Sequence, residues 1–273
     1  MVKNILFIIP IIFYLNLNEI KVISYNIRYD NPNDGINIWD NRKLTVTQFL
    51  NNESPDFAGL QEVTHPQLSF LSEYLINYNY IGVGRDDGKT KGEYSPIFYN
   101  KNKYKVIFEN TFWLSPTPNK ISIGWDASME RICTYGLFKN IKTEEKIWIF
   151  NTHFDHIGSQ ARKKSAQLIL EIINSKNKDN LPVILTGDFN LEDDSPIIEM
   201  IQKQMKDVLL HYDKSNKYYG TYNAFQIKNT NEKRIDYIFT RKLKQLKAKH
   251  IHLKTPYKGW ASDHHPVLSI LKL

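Results

Sequence analysis

Apolar residues along the chain fall into two patterns: short blocks of consecutive β-branched and aromatic residues, and longer stretches in which every third or fourth position is apolar. The first pattern marks strands buried on both faces, the second helices that bury one stripe. Strands are predicted at Lys21 to Ile27, ending near Asn26, and at Asp56 to Val63, Leu181 to Leu185, Arg234 to Thr240, Lys247 to Leu253 and Val267 to Leu271. Val46, Phe49 and Leu50 outline a helix that stops before Ser54-Pro55, and Leu68, Leu71 and Leu75 outline another. Ser159 is placed to cap a helix striped by Ala166, Ile169, Leu170 and Ile173. Ser195-Pro196 has the cap-then-proline order of a helix carrying Ile198, Ile201 and Met205. Between Tyr80 and Asn151, β-like segments at Ser95 to Tyr99, Tyr104 to Phe108 and Ile147 to Phe150 alternate with turns.

No repeat or long linker interrupts this order, which predicts one domain over residues 20–273, of sheets packed on each other with helices outside. Ahead of it, Lys3 and Asn4 precede the apolar run Ile5 to Leu15, shorter than the roughly 20 residues of a membrane-spanning helix. Residues 1–19 therefore read as a signal peptide, and the protein as exported to the periplasm or medium. Asn16 to Glu19 offer no small-residue cleavage site, so an uncleaved anchor, or a first strand in a cytoplasmic protein, is the other reading of this segment.

Composition narrows the chemistry. With 41% hydrophobic and 24% charged residues, the chain is an ordinary globular one, neither disordered nor fibrous. The single cysteine, Cys133, excludes an intrachain disulfide and a cysteine-based zinc site, so any metal must be held by oxygen and imidazole ligands. The formal charge is +7, and its place in the chain is specific. Arg241 to Trp260 carries seven lysines and arginines and no acid; 36 basic residues less these seven leaves 29, matching the 29 acidic ones. A run so placed, between Asp236 and Asp263, is expected to steer an anionic substrate.

Polar residues recur where predicted strands end, as if several loops met on one rim. Asn26 ends the first; Glu62 follows Leu60-Gln61; His153 follows Asn151-Thr152; Asp188 and Asn190 follow Thr186-Gly187; Asp236 sits within Arg234 to Phe239; Asp263-His264 follow Ala261-Ser262. A carboxylate among such apolar strands is costly unless it is paired or holds a cation. Any one of them alone reads as a turn residue, a solvated strand end or a satisfied core histidine.

Together, and in this order, the blocks Ser24 to Arg28, Leu60 to Val63, Asn151 to His153, Gly187 to Asn190, Arg234 to Ile238 and Ser262 to Val267 closely resemble the endonuclease/exonuclease/phosphatase superfamily, the DNase I-like fold. The resemblance implies an α+β, four-layered αββα sandwich with the site on the rim of two mixed, mostly antiparallel sheets, and a divalent-metal-dependent hydrolase of phosphate esters. It implies Glu62 as ligand of Mg²⁺ or Mn²⁺, with Asn26 and Asp263 in or near the same shell. Asp188 would orient or deprotonate the attacking water, Asn190 would donate to the phosphate, and His153 and His264, the latter held by Asp236, would contact phosphoryl oxygens. How base and acid divide among Asp188 and the two histidines stays open at this point.

Gly84 to Gly88, Gly92 to Tyr99, Phe112 to Ser115 and Gly124 to Asp126 resemble a bacterial group of the superfamily with no settled substrate, near the deadenylase-like branch. Arg85, Glu93, Tyr94 and Arg131 are its candidate substrate-binding residues, Glu93 also as a partner for His153, and Thr221 falls where the family often has a threonine near the site. The first reading is a phosphodiesterase acting on nucleic acid or nucleotides. A phosphomonoesterase or lipid-head-group phosphodiesterase, on inositol phosphates or sphingomyelin, is the second; a non-catalytic module binding an anion is the third. No stable protein partner is expected, and the chain is read as a monomer.

Overall fold

The computed structural model describes residues 19–211, 214, 219–228 and 233–273. Most of the expected leader segment lies outside the described residues; Glu19, its last position, opens the first strand. In chain order the elements are β1 (Glu19–Asn26), α1 (Trp39–Glu53), β2 (Phe57–Gln61), α2 (His65–Tyr74), β3 (Tyr78–Ile81), β4 (Ile97–Asn100), β5 (Tyr104–Trp113), β6 (Ile132–Asn140), β7 (Lys146–His153), α3 (Ser159–Lys176), β8 (Val183–Asp188), α4 (Pro196–Gln202), β9 (Lys206–Asp207), β10 (Asp236–Arg241), β11 (Lys244–His250) and β12 (Val267–Lys272). They make two six-stranded sheets, in the orders β11-β12-β1-β2-β4-β3 and β5-β6-β7-β8-β10-β9. Among the described residues no helix is long and apolar enough to cross a membrane.

The continuous apolar runs follow from burial on both strand faces. In β1, Val22 turns to the seam between the sheets and Ile23 to the outer helices, and Ile149/Phe150, Ile184/Leu185 and Ile238/Phe239 divide the same way. Trp39, Val46, Phe49 and Leu50 of α1 cover the first sheet with Leu68 and Leu71 of α2. Ala166, Ile169, Leu170 and Ile173 of α3 cover the second with Ile198 and Ile201 of α4. Helix, sheet, sheet and helix are thus the four layers expected of a DNase I-like chain.

Polar groups tie the sheets together within the seam. Asn151 Nδ2 donates to the carbonyls of Leu60 and Pro96 across it, at 2.7 and 2.9 Å. Gly59 makes room for this network, since a Cβ there would lie 2.6 Å from Asn151 Oδ1.

Some local expectations are corrected. Ser159 is the first residue of α3 rather than its cap; Asp126, 35 positions upstream of Ala161, accepts from the Ala161 N–H at 2.6 Å. The strand expected at Lys247 to Leu253 runs Lys244–His250, with a register shift between Gln245 and Lys247. The basic run starts far from the site and returns beside the rim without lining the cleft there, since β11 ends with His250 opposite Val267. β10 leaves the rim at Asp236, so Arg241, Lys242 and Lys244 lie at the opposite end of the sheets, and β11 is an edge strand. Lysines on an edge strand keep other strands from pairing with it, which is a sufficient physical reason for them.

Candidate active site

Topology brings the polar strand ends together. β1 and β2 run parallel in one sheet, β7 and β8 parallel in the other, so Asn26, Glu62, His153 and Asp188 all emerge on one rim. β10 runs antiparallel to β8, and Asp236 at its start faces Asp188 at the end of β8. The segment entering β12 supplies Asp263 and His264. Glu62, His153, Asp188, Asp263 and His264 edge a cleft of about 910 Å³ whose walls also hold Arg28, Tyr29, Arg85, Glu93, Met129, Arg131, His156, Tyr222 and Lys233, with Asn26 and Asp236 buried behind it. None of the seven basic residues between Arg241 and Trp260 lines it.

Asp188 is at the centre and 1% exposed. Its Oδ1 accepts from the Asn190 N–H at 3.0 Å, and its Oδ2 from Asn26 Nδ2 at 3.0 Å. Nε2 of His153 lies 3.5 Å from the same Oδ2 and Nε2 of His264 3.7 Å. Burial, with the Asp236 carboxylate beside it, pushes the Asp188 carboxyl up to about 7.

The two histidines differ in their backing. His264 Nδ1 bonds Asp236 Oδ2 at 2.8 Å. Burial alone would lower its basicity, but the carboxylates of Asp236 and Asp188 outweigh that and hold the imidazole protonated well above its ordinary range. His153 Nδ1 is 4.0 Å from Glu93 Oε2, which Arg85 has already claimed with a two-pronged ion pair at 2.8 and 3.0 Å. Burial first, then the charges of Arg131 and Arg85, hold His153 well below its ordinary value and therefore neutral.

Asn26, expected in or near the cation shell, adjoins Glu62. Its Nδ2 spans Glu62 Oε1 and Asp188 Oδ2, both at 3.0 Å, while its Oδ1 takes the Arg28 N–H. It holds two carboxylates apart in a fixed geometry. Glu62, in a left-handed backbone conformation at φ 60°, projects over the cleft edge with Oε2 on the Tyr29 N–H. Asp263 is pushed up by burial and by the neighbouring Glu62 charge. Glu62 and Asp263 both line the cleft, and carboxylate oxygens of this kind suit a hard divalent cation. Asp188, Asp236 and His264 also offer ligand-type atoms within 4.8 Å of one another. There His264 Nδ1 is bonded to Asp236, which leaves Nε2 as the ring nitrogen turned to the cleft side of that group.

Of the expected substrate-binding residues, Arg85, Glu93 and Arg131 line the cleft. Tyr94 does not: its ring is in the core under the first sheet, and its hydroxyl donates to the Lys89 carbonyl at 2.8 Å. Thr221 is also withdrawn from the cleft, its Oγ1 accepting from the N–H groups of Ile235 and Asp236 at 3.0 and 3.1 Å and so setting the start of β10. Arg28, Tyr29, His156 and Lys233 were not anticipated. Arg28 stands two positions beyond Asn26, where a residue of the same rim loop was to be expected; Lys233 carried no sequence signal.

The Endonuclease/Exonuclease/phosphatase family model matches residues 23–264. The chain belongs to this family. It is similar to the endonuclease/exonuclease/phosphatase of Bacteroides vulgatus, with 39% identity, 93% of this chain and 99% of that one covered, and a TM-score of 0.86. It is also similar to the mannosyl-6-phosphatase of Bacteroides thetaiotaomicron, with 36% identity, coverage of 93% and 100%, and a TM-score of 0.85. An uncharacterized protein of Acanthamoeba polyphaga mimivirus is 33% identical over 162 residues, 57% of this chain and 60% of that one, so the chain spans less than two thirds of that relative.

Proposed function

We propose that the protein is a divalent-cation-dependent hydrolase of phosphate esters, acting on a small phosphomonoester. The observation that carries the reading is the setting of Asp188, a buried carboxylate near neutral pKa between two imidazoles of opposite charge state, one backed by Asp236. A base of that kind takes a proton from water at neutral pH. His264, kept protonated by Asp236, gives a positive N–H to a phosphoryl oxygen. Asn190, whose Nδ2 is bound to the Phe154 carbonyl at 3.0 Å, orients its neighbour His153. Arg131 and Arg85 line the His153 side, each beside a carboxylate, Asp155 and Glu93, and offer N–H donors there. Glu62 and Asp263 would hold the cation, which when bound neutralises phosphate charge.

Two observations favour a small substrate over nucleic acid. The basic run lies outside the cleft, and the rim carries the acids Glu192 and Asp194 as well as bases, which suits a polyanion poorly. The likeness to a sugar-phosphate phosphatase over nearly the whole chain points the same way. The deciding assay sets purified protein with Mg²⁺ or Mn²⁺ against a hexose 6-phosphate, an aryl phosphomonoester, a bis-aryl phosphodiester, single-stranded RNA and DNA, and sphingomyelin, with Asp188→Ala as control. Turnover of monoesters alone is expected; cleavage of diesters or RNA with monoesters untouched returns the nuclease reading, and no turnover of any sinks both.

A further inference from the structure

The strand ends away from the cleft gather the molecule's positive charge. Five turns lie there: 101–105 between β4 and β5, 139–146 around the β6–β7 hairpin, 176–179 after α3, 203–206 before β9, and 241–244 between β10 and β11. They hold thirteen lysines and arginines and three acids. Thirteen less three is a net +10 where the whole chain has +7, which leaves −3 for everything else, the cleft included.

The turns adjoin one another. The Ile141 N–H donates to the Lys103 carbonyl at 2.8 Å, and Arg241 bonds the Gln204 carbonyl at 3.2 Å and Asn174 Oδ1 at 2.9 Å. Acids close by are partly taken, Asp56 by Lys103, Glu53 by Lys21 and Glu144 by Lys139. Lys101, Lys105, Lys142, Lys146, Lys178 and Lys242 are exposed, and Ile141, 45% exposed, stands in the hairpin turn among them.

The chain enters the domain at this same end. Glu19 pairs with Lys272, and Ile20 shares a small hollow with Asn140, Lys146 and Leu273. Only Asn16, Leu17 and Asn18 separate Glu19 from the apolar run Ile5 to Leu15. A run of that length is too short to cross a bilayer but suits the boundary between head groups and acyl chains. One apolar segment gives weak, reversible attachment, and a polybasic surface beside it is the second signal that makes attachment stable. Nucleic acid would be served by the charge alone; the apolar run at the same end favours a bilayer.

We propose that this end docks on an anionic membrane surface, with residues 5–15 entering the headgroup region and the basic turns resting on acidic lipid. The cleft then faces the solution, since the eight residues of β1 set the two ends about 26 Å apart. That is well beyond the roughly 8 Å over which the membrane's charge is felt at physiological salt. A protein held this way draws its phosphate ester from the water phase and leaves the head groups of its own membrane out of reach.

The test floats full-length protein with vesicles of phosphatidylcholine alone or mixed with phosphatidylglycerol. Wild type is expected to bind the mixed vesicles at least about tenfold more tightly, with salt releasing it. Lys101→Gln, Lys105→Gln, Lys142→Gln and Lys146→Gln combined should weaken that binding at least about tenfold, as should Ile8→Asp with Ile12→Asp. Lys89→Gln with Lys91→Gln, in the loop that carries Arg85 to the cleft, should leave it as in wild type. Cys133 is buried, so a thiol-reactive dye reports the position of one added cysteine. On mixed vesicles a dye at Lys142→Cys should be shielded from a water-soluble quencher and one at Lys91→Cys should not. Failure to bind mixed vesicles, equal loss from the two lysine sets, or a shielded dye at position 91 overturns the proposal. So does an Ile8→Asp, Ile12→Asp variant that floats as wild type does, and equally tight binding of single-stranded DNA by that variant would assign the face to nucleic acid.

Discussion

His153 and His264 present the same ring nitrogen, Nε2, to one oxygen of Asp188, from 3.5 and 3.7 Å. They are not equivalent: His264 is ionised by its bond to Asp236, and His153 is kept neutral by burial and two arginines. Replacing either the shared carboxylate or the charged imidazole removes a different element of the same proton path. Asp188→Ala and His264→Gln are each expected to lower kcat by about 10²–10⁴-fold, with unfolding temperatures close to wild type. A variant with near-wild-type turnover in Mg²⁺ would remove that residue from the chemistry.

The pH profile follows from the same carboxylate. A base is competent only when ionised, so kcat/KM should rise as pH passes upward through about 7, where burial and Asp236 have pushed Asp188. A limb near the ordinary carboxylate value of about 4 would show that another group acts as base. Stability runs the opposite way. The folded state keeps the Asp188 proton to a higher pH than the unfolded chain, so metal-free protein should lose stability as pH climbs from about 4 to 7. Asp188→Asn should flatten that slope in chemical unfolding.

Arg234 and Asp207 form an ion pair at 2.7 Å with side chains 1% and 0% exposed, two residues before Asp236. Breaking one half leaves a buried charge without its partner, and Arg234→Met should cost about 3–5 kcal/mol in urea unfolding. The double variant Arg234→Met with Asp207→Leu should recover much of that. No recovery would mean that the arginine stabilises by packing against Tyr237, over which it lies at 4.6 Å.

The lysines of β11 and the loop after it offer a negative control. Neutralising Lys247, Lys249 and Lys254 together should leave kcat/KM and its ionic-strength dependence as in wild type, because none of them lines the cleft. A flattened salt dependence would restore them as a steering surface.

What the amino-acid order made legible was whatever is decided locally. Strands such as Val183–Asp188, apolar on both faces, announce a double-sided sheet, and a carboxylate at the end of one announces a rim. What it hid depended on distant partners. Asp126 displaced Ser159 as the acceptor at the start of α3 because a loop far upstream folds onto it. Nothing near Tyr94 says that its ring turns inward, and Thr221 acts through the N–H groups of residues 14 and 15 positions away. The charge run was conspicuous in the sequence, but its place was settled by distant pairings: β10 carries Arg241 away from Asp188, and β11 brings the later lysines back along the edge of the other sheet, outside the cleft.

The seam between the sheets runs through the middle of the candidate site. Asn26 belongs to one sheet and Asp188 to the other; His264 leads into one and Asp236 opens the other, and both pairs are bonded across the divide. Neither sheet alone carries a complete set of groups. On the proposed function, activity is a readout of docking, and a partly unfolded species that keeps its strands but lets the layers slip should be inert well before its circular dichroism changes.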